Sequence, residues 1–177
     1  YIGFDINSDI INFVEQRMQG CDSINYCIHN CDVTNSERFH QCVGEDLKQM
    51  KKHKIDFLIV HPPYLDIVKF TDKPEDLSGI SNLNIFLEKF QAAMTNALSY
   101  LKSKHYFVLV IGDIYRDGEV IPLGFYMMYA IKKAFKCQLK GIVVKDIVGN
   151  RAKIGQEALW RYRALVNGNY LFKHEYL

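Results

Sequence analysis

The apolar run Ile55–Val60 is of strand length and leads directly into His61-Pro62-Pro63-Tyr64. Two prolines cannot extend a central strand, because neither offers a backbone donor. They also stiffen the chain and fix the direction of the carbonyls before them. A continuous apolar run of this kind is expected to be a strand buried on both faces of a sheet. The chain therefore has to place a rigid segment, tipped by the flat ring of Tyr64, at the carboxyl end of a core strand.

Around this run, strand-like and helix-like patterns alternate. Tyr1–Ile6 predicts a strand. A helix capped by Ser8 or Asp9 follows, with Ile10, Val14 and Met18 near one face and Gly20 as its stop. Ile24–Ile28 predicts a short strand. Ser36 then caps a helix to about Lys52, striped by Phe39, Val43, Leu47 and Met50. Beyond a polar loop over residues 61–79, a helix is expected from Leu83 to Leu101, with Phe86, Phe90 and Met94 toward the core. The strand Tyr106–Ile111, a loop containing Gly118, a helix Pro122–Phe135, and strands Leu139–Val144 and Ala164–Phe172 complete the pattern. Such alternation predicts an α/β fold: a mostly parallel sheet with helices on both faces and an antiparallel last strand. The whole chain, residues 1–177, reads as one domain. Residues 145–163 form a basic insertion between the last two strands.

Charge is unevenly spread. Residues 1–125 carry a net −5 and residues 126–177 a net +7, which suggests a polyanionic partner for the basic end or, more plainly, a solvated lysine face. The longest apolar stretch, Ile121–Ile131, is broken by Pro122 and Gly124 and is too short to span a membrane. The chain opens on a strand-like run, so no signal peptide and no membrane partner are expected. Five cysteines without a paired framework fit a reducing, cytoplasmic setting. Cys27, His29 and Cys31 alternate at period two, yet there is no Cys-x-x-Cys pair. Small buried side chains are the expected role, and no metal site is expected.

In sheets of this type, ligands sit beyond the carboxyl ends of the strands. The residues there are Asp5, Asp32, His61-Pro62-Pro63-Tyr64 and Gly112-Asp113. Asp5 can accept ribose hydroxyls or simply start a helix. Asp32 can receive an adenine amino group or close a turn. The proline strip offers rigid carbonyls and an aromatic face, which suit a planar base with an exocyclic amine; an ordinary proline turn is the plainer reading.

Taken together, these residues resemble the S-adenosylmethionine-dependent amino-methyltransferases, which carry Asp/Asn/Ser-Pro-Pro-Tyr/Phe after their fourth strand and modify adenine or cytosine in DNA, or guanine amino groups in RNA. The likeness runs through most of the chain, including His61–Phe70, Asp76-Leu77-Ser78, Phe107–Asp113 and Pro122–Phe125. It implies a Rossmann-like methyltransferase fold whose first strand and Gly-rich loop precede Tyr1, leaving this catalytic domain incomplete at its amino end. It implies S-adenosylmethionine as cofactor, with Asp5 on the ribose and Asp32 near the adenine. It also assigns His61, Pro62, Pro63 and Tyr64 to catalysis and names DNA as partner, with RNA possible. His61 stands where the family has an acid, Asn or Ser; a neutral imidazole still accepts one hydrogen bond.

The insertion supplies Lys145, Arg151, Lys153, Arg161 and Arg163, interleaved with Trp160 and Tyr162, as candidate nucleic-acid contacts. An alternative of the same class is an RNA guanine-amino methyltransferase; alternatives of other kinds are a non-catalytic methyltransferase-like binding subunit and an NAD-dependent oxidoreductase using Asp5. The last leaves the proline strip unexplained.

Overall fold

The computed structural model describes residues 1–21, 24–146, 162, 166 and 174–176. These residues are mixed α/β, with four α-helices and small parallel and antiparallel sheets. The chain divides into two compact units, Tyr1–Leu58 with Leu65–Phe107, and Ile59–Tyr64 with Val108–Leu177.

In the first unit, β1 (Ile2–Asp5) pairs in parallel with β2 (Cys27–Asn30), in register from Ile2 opposite Cys27 to Asp5 opposite Asn30. Between them runs α1 (Ser8–Met18). α2 (Ser36–Gln49) presents Phe39, Val43 and Leu47, all buried, to Ile2, Phe4, Val33, Ile55, Ala97 and Tyr100. The Phe4 and Phe39 ring centroids lie 4.7 Å apart. α3 (Leu83–Leu98) buries Phe86, Phe90 and Met94 on one stripe. Each such side chain contributes on the order of 1.5–3 kcal/mol through removal from water.

Asparagines begin these helices. Asn7 Oδ1 accepts from Asp9 N at 2.9 Å, Asn35 Oδ1 from Arg38 N at 3.0 Å, and Asn82 Oδ1 from Asn84 N and Ile85 N. Ser8 and Ser36, expected as caps, are instead the first helical residues. In α1 it is Ile11 that is buried, whereas Ile10 is exposed.

Several strand expectations are corrected. β2 lies three residues beyond the start expected from Ile24–Ile28, because its ladder is set by the four residues of β1. α3 stops at Leu98, and Leu101 opens β4 (Leu101–Leu109) rather than closing the helix. β3 (Ile55–Val60) pairs with β4, with Ile55 N donating to Tyr100 O at 2.9 Å and Val110 N to Val60 O at 2.8 Å. β3 is not buried on both faces: Phe57 is 52% exposed and Ile59 64%. Phe57 and Ile59 alternate along the strand, so the side they share stays open among the described residues. In place of the single sheet expected, the described strands form four two-stranded sheets.

In the second unit, the loop expected around Gly118 is an antiparallel hairpin of β5 (Ile114–Arg116) and β6 (Glu119–Ile121). Asp117 and Gly118 at its tip have φ of 53° and 85°, as a two-residue hairpin turn with left-handed central residues requires. α4 (Leu123–Ala134) buries Leu123, Met127 and Ile131, and Pro122 is its cap rather than its first residue. The strand expected over Leu139–Val144 is confined to β7 (Val144–Asp146), which pairs antiparallel with β8 (His174–Tyr176). Most of Ala164–Phe172 lies outside the described residues; Val166, within it, is helical.

Phe39→Ala is expected to lower the unfolding free energy by about 3–5 kcal/mol. Ile59→Ala should stay within about 0.5 kcal/mol of the parent, as for an exposed site. Urea denaturation reads both. Equal losses would mean that β3 is covered on the side described here as open.

Candidate active site

Two groups of residues gather at strand ends, one in each unit. In the first unit, Asp5 closes β1. Its Oδ1 accepts from Asn7 N at 2.7 Å, and its backbone carbonyl accepts from Cys31 N and Asn30 Nδ2. Asp5 Oδ2 accepts no hydrogen bond among the described residues, so one acceptor oxygen is available to a hydroxyl. Asp32 is differently placed. Its Oδ1 accepts from Thr34 N at 2.8 Å, and both of its oxygens accept from Thr34 Oγ1. This is the turn-closing geometry that its sequence position allowed, and an adenine amino group would have to use the remaining lone pairs.

The loop after the proline strip is fastened to these strand ends. Lys73 Nζ donates to the Ile6 carbonyl at 2.7 Å and to Asn30 Oδ1 at 3.1 Å, and Asn7 Nδ2 donates to the Phe70 carbonyl at 3.3 Å. Asp76, 3% exposed, organises the loop from inside. It accepts from Thr71 N, Thr71 Oγ1 and Ser78 N, each at 2.8 Å, while Ser78 Oγ accepts from Phe70 N. Burial pushes the Asp76 carboxyl upward, but the hydrogen bonds from Ser78 and Thr71 outweigh it and hold the group below its ordinary range. A cavity of about 390 Å³ opens on this loop, lined in part by Asp66, Lys69, Lys73, Asp76 and Ser78. The roles of Lys73 and Asp76 carried no sequence signal beyond Asp76-x-Ser78, a spacing that favours a local side-chain turn.

In the second unit, His61-Pro62-Pro63-Tyr64 follows β3 directly. His61 is exposed, and the next three residues are half-buried. His61 Nε2 lies 3.3 Å from Tyr64 Oη, with the rings at 83° and their centroids 6.0 Å apart. The chain then passes through Leu65, wholly buried and at φ 52°. A branched residue there is strained, and such strain is found where backbone direction matters. The bond from Val110 N to Val60 O sets the ends of β3 and β4 side by side, so Gly112-Asp113 belongs to the same strand-end region as His61.

Asp113 Oδ2 accepts from Tyr176 Oη at 2.9 Å. Burial, with a further push from Asp113, holds the Tyr176 hydroxyl above the usual phenol range. Asp113 Oδ1 and Tyr115 Oη are buried without partners among the described residues, the kind of unsatisfied pair that functional sites tolerate. Gly124 leaves close room for these side chains. A Cβ at this position would meet the Tyr176 ring at 3.0 Å and Ile111 at 3.2 Å.

Cys27, His29 and Cys31 serve the β2–α2 contact. His29 Nε2 and Asp46 Oδ2 are 2.6 Å apart, and burial and then Asp46 raise the Cys27 thiol. Among the described residues, no group of three His, Cys, Asp or Glu side chains could hold a metal ion, and no helix is long and apolar enough to cross a membrane. Of the basic insertion, Lys145 is exposed in β7, while Arg151, Lys153, Arg161 and Arg163 lie outside the described residues. No protein-family model, curated protein or solved structure matches this chain.

Asp76→Ala is expected to cost about 1–3 kcal/mol at pH 7, since it strips partners from buried donors. The carboxylate's contribution is complete above its unfolded-state pKa of about 3.9 and is lost as pH falls through the lower folded-state value. Denaturation curves of the parent and variant should therefore converge in strong acid. A constant gap across pH would place the effect in lost volume rather than in the carboxylate.

Proposed function

We propose that the protein transfers a methyl group from S-adenosylmethionine to an exocyclic amino group of adenine or cytosine in DNA. The observation that carries this reading is the rigid His61-Pro62-Pro63-Tyr64 strip at the carboxyl end of β3, with the imidazole and phenol in mutual contact. In this reading the fold is the Rossmann-like methyltransferase fold. The α2 stripe touches both β1 and β3.

The exocyclic amine is a poor nucleophile because its lone pair is conjugated into the base. Acceptors held on a rigid backbone favour its tetrahedral form and fix its direction. The Pro62 carbonyl is one acceptor. His61 is the other when neutral. If Nε2–H donates to Tyr64 Oη, Nδ1 is left as the accepting nitrogen, so Tyr64 sets the tautomer as well as offering a face on which the base stacks. Asp5, with one oxygen unengaged, would hold the ribose hydroxyls of the cofactor. Asp32, shared with Thr34, would lie near its adenine. When bound, S-adenosylmethionine supplies an electrophilic methyl group on a sulfonium. No covalent link from the chain to the base is needed. Lys145 and the arginines and lysine of residues 151–163 would face the DNA backbone.

The tests use the full chain with any residues upstream of Tyr1. S-adenosylmethionine should raise the melting temperature and NAD should not. Asp5→Ala should weaken cofactor binding by about 1.5–3 kcal/mol in calorimetry, as for a lost pair of charge-assisted bonds; unchanged affinity would remove Asp5 from the site. His61→Asp should stay active, because a carboxylate still accepts the hydrogen bond. Tyr64→Ala should cost about 1–3 kcal/mol of transition-state stabilisation through lost stacking, and Tyr64→Phe less. A His61→Ala variant that methylates DNA as fast as the parent would refute the catalytic role of the strip.

A further inference from the structure

Residues 1–125 are acidic overall, yet lysines concentrate at one place in the first unit. Lys48 stands in the last turn of α2. Lys51, Lys52 and Lys54 occupy the turn into β3, and Lys102 and Lys104 the start of β4. All six are exposed, as are His53 and His105 beside them. These segments meet in space. Ile55 N bonds to the Tyr100 carbonyl, and Asp56 pairs with both Lys52 and Lys102. Lys54 donates to the Ser99 carbonyl. Asp56 is thus the one acid paired within the group, and the side chains of Lys48, Lys51 and Lys104 have no hydrogen-bond or ion-pair partner among the described residues. A cavity of about 430 Å³ opens among Lys48, Lys51, Lys52, His53 and Tyr100.

The negative end of the α2 dipole accounts for cations at Lys48, Lys51 and Lys52. It does not account for Lys102, which reaches Asp56 from β4, or for Lys104 two residues further along that strand. A concavity lined by the uncompensated Lys48 and Lys51, with Lys104 unpaired on the strand that begins after Tyr100 of the same lining, is complementary to closely spaced anions.

We propose that this surface, at the amino ends of β3 and β4, binds the phosphate backbone of DNA as a contact separate from the His61–Tyr64 strip and from the basic segment after Lys145. The proposal rests on the reading of the protein as a nucleic-acid enzyme. It names Lys48, Lys51 and Lys104 as phosphate contacts that carry no part in the chemistry.

The test is the salt dependence of binding to a mixed-sequence duplex DNA, measured on the full chain. Each phosphate contact contributes about 0.9 to the slope of log affinity against log salt. Lys48→Gln, Lys51→Gln and Lys104→Gln together should reduce the slope by about 2 to 3. Removing the same charge through Lys89→Gln, Lys132→Gln and Lys133→Gln, on α3 and α4, should leave the slope near that of the parent. The melting temperature of each variant checks folding. Lys48→Gln alone, which spares Lys51 and Lys104, both at positive φ, should lower the slope by about 0.9 if the triple variant does not fold. An unchanged slope, or an equal fall in the α3 and α4 variant, overturns the contact while leaving the methyltransferase reading intact. A parent that binds no DNA overturns both.

Discussion

The central constraint in this chain is a backbone that has to stop. Pro62 and Pro63 cannot join a ladder, so β3 ends at Val60, whose carbonyl takes its last bond from Val110. On the far side, Leu65 is committed to a left-handed conformation and to complete burial. Four residues, His61 to Tyr64, are thereby held in a direction that their own side chains do not determine. Their imidazole and phenol meet each other at 3.3 Å.

The loop that follows depends on the same economy of polar groups. Asp76 is buried but saturated with donors, and Ser78 and Thr71 complete its shell. Lys73 reaches from this loop to the β1 and β2 ends, so the surroundings of Asp5 are shaped by a segment some seventy residues away in sequence. In the other unit, Tyr176 holds one oxygen of Asp113, and the other is buried without a partner among the described residues. A saturated acid reads as structural support. An unsaturated one at a strand end leaves a place for chemistry.

The helical stripes were legible in the sequence because their periodicity is local: Phe39, Val43 and Leu47, or Phe86, Phe90 and Met94, declare a face without knowledge of what covers it. The His61–Tyr64 strip was legible for the same reason, since proline acts on its own neighbours. What the sequence hid was pairing. The start of β2 is set by β1, the length of β4 by β3, and the exposure of Phe57 and Ile59 by what packs on the side of β3 that they share. Asp117-Gly118 marks the β5–β6 turn, but flanking strands of three residues each are too short to show a period-two pattern. Asn7 and Asn35 took the caps from the serines after them by standing one residue earlier. At the site, the engagement of Asp32 by Thr34 follows from local spacing, whereas Lys73 became visible only once distant segments were brought together.

The central claim is that the strip aligns a base amine for methylation. It is tested most directly by incubating DNA with the protein and S-adenosylmethionine bearing a deuterated methyl group, then digesting the DNA to nucleosides for mass spectrometry. The account predicts the label on the exocyclic nitrogen of adenine or cytosine, as N6-methyladenine or N4-methylcytosine. Label on carbon 5 of cytosine, or in no nucleoside of the DNA, would contradict it.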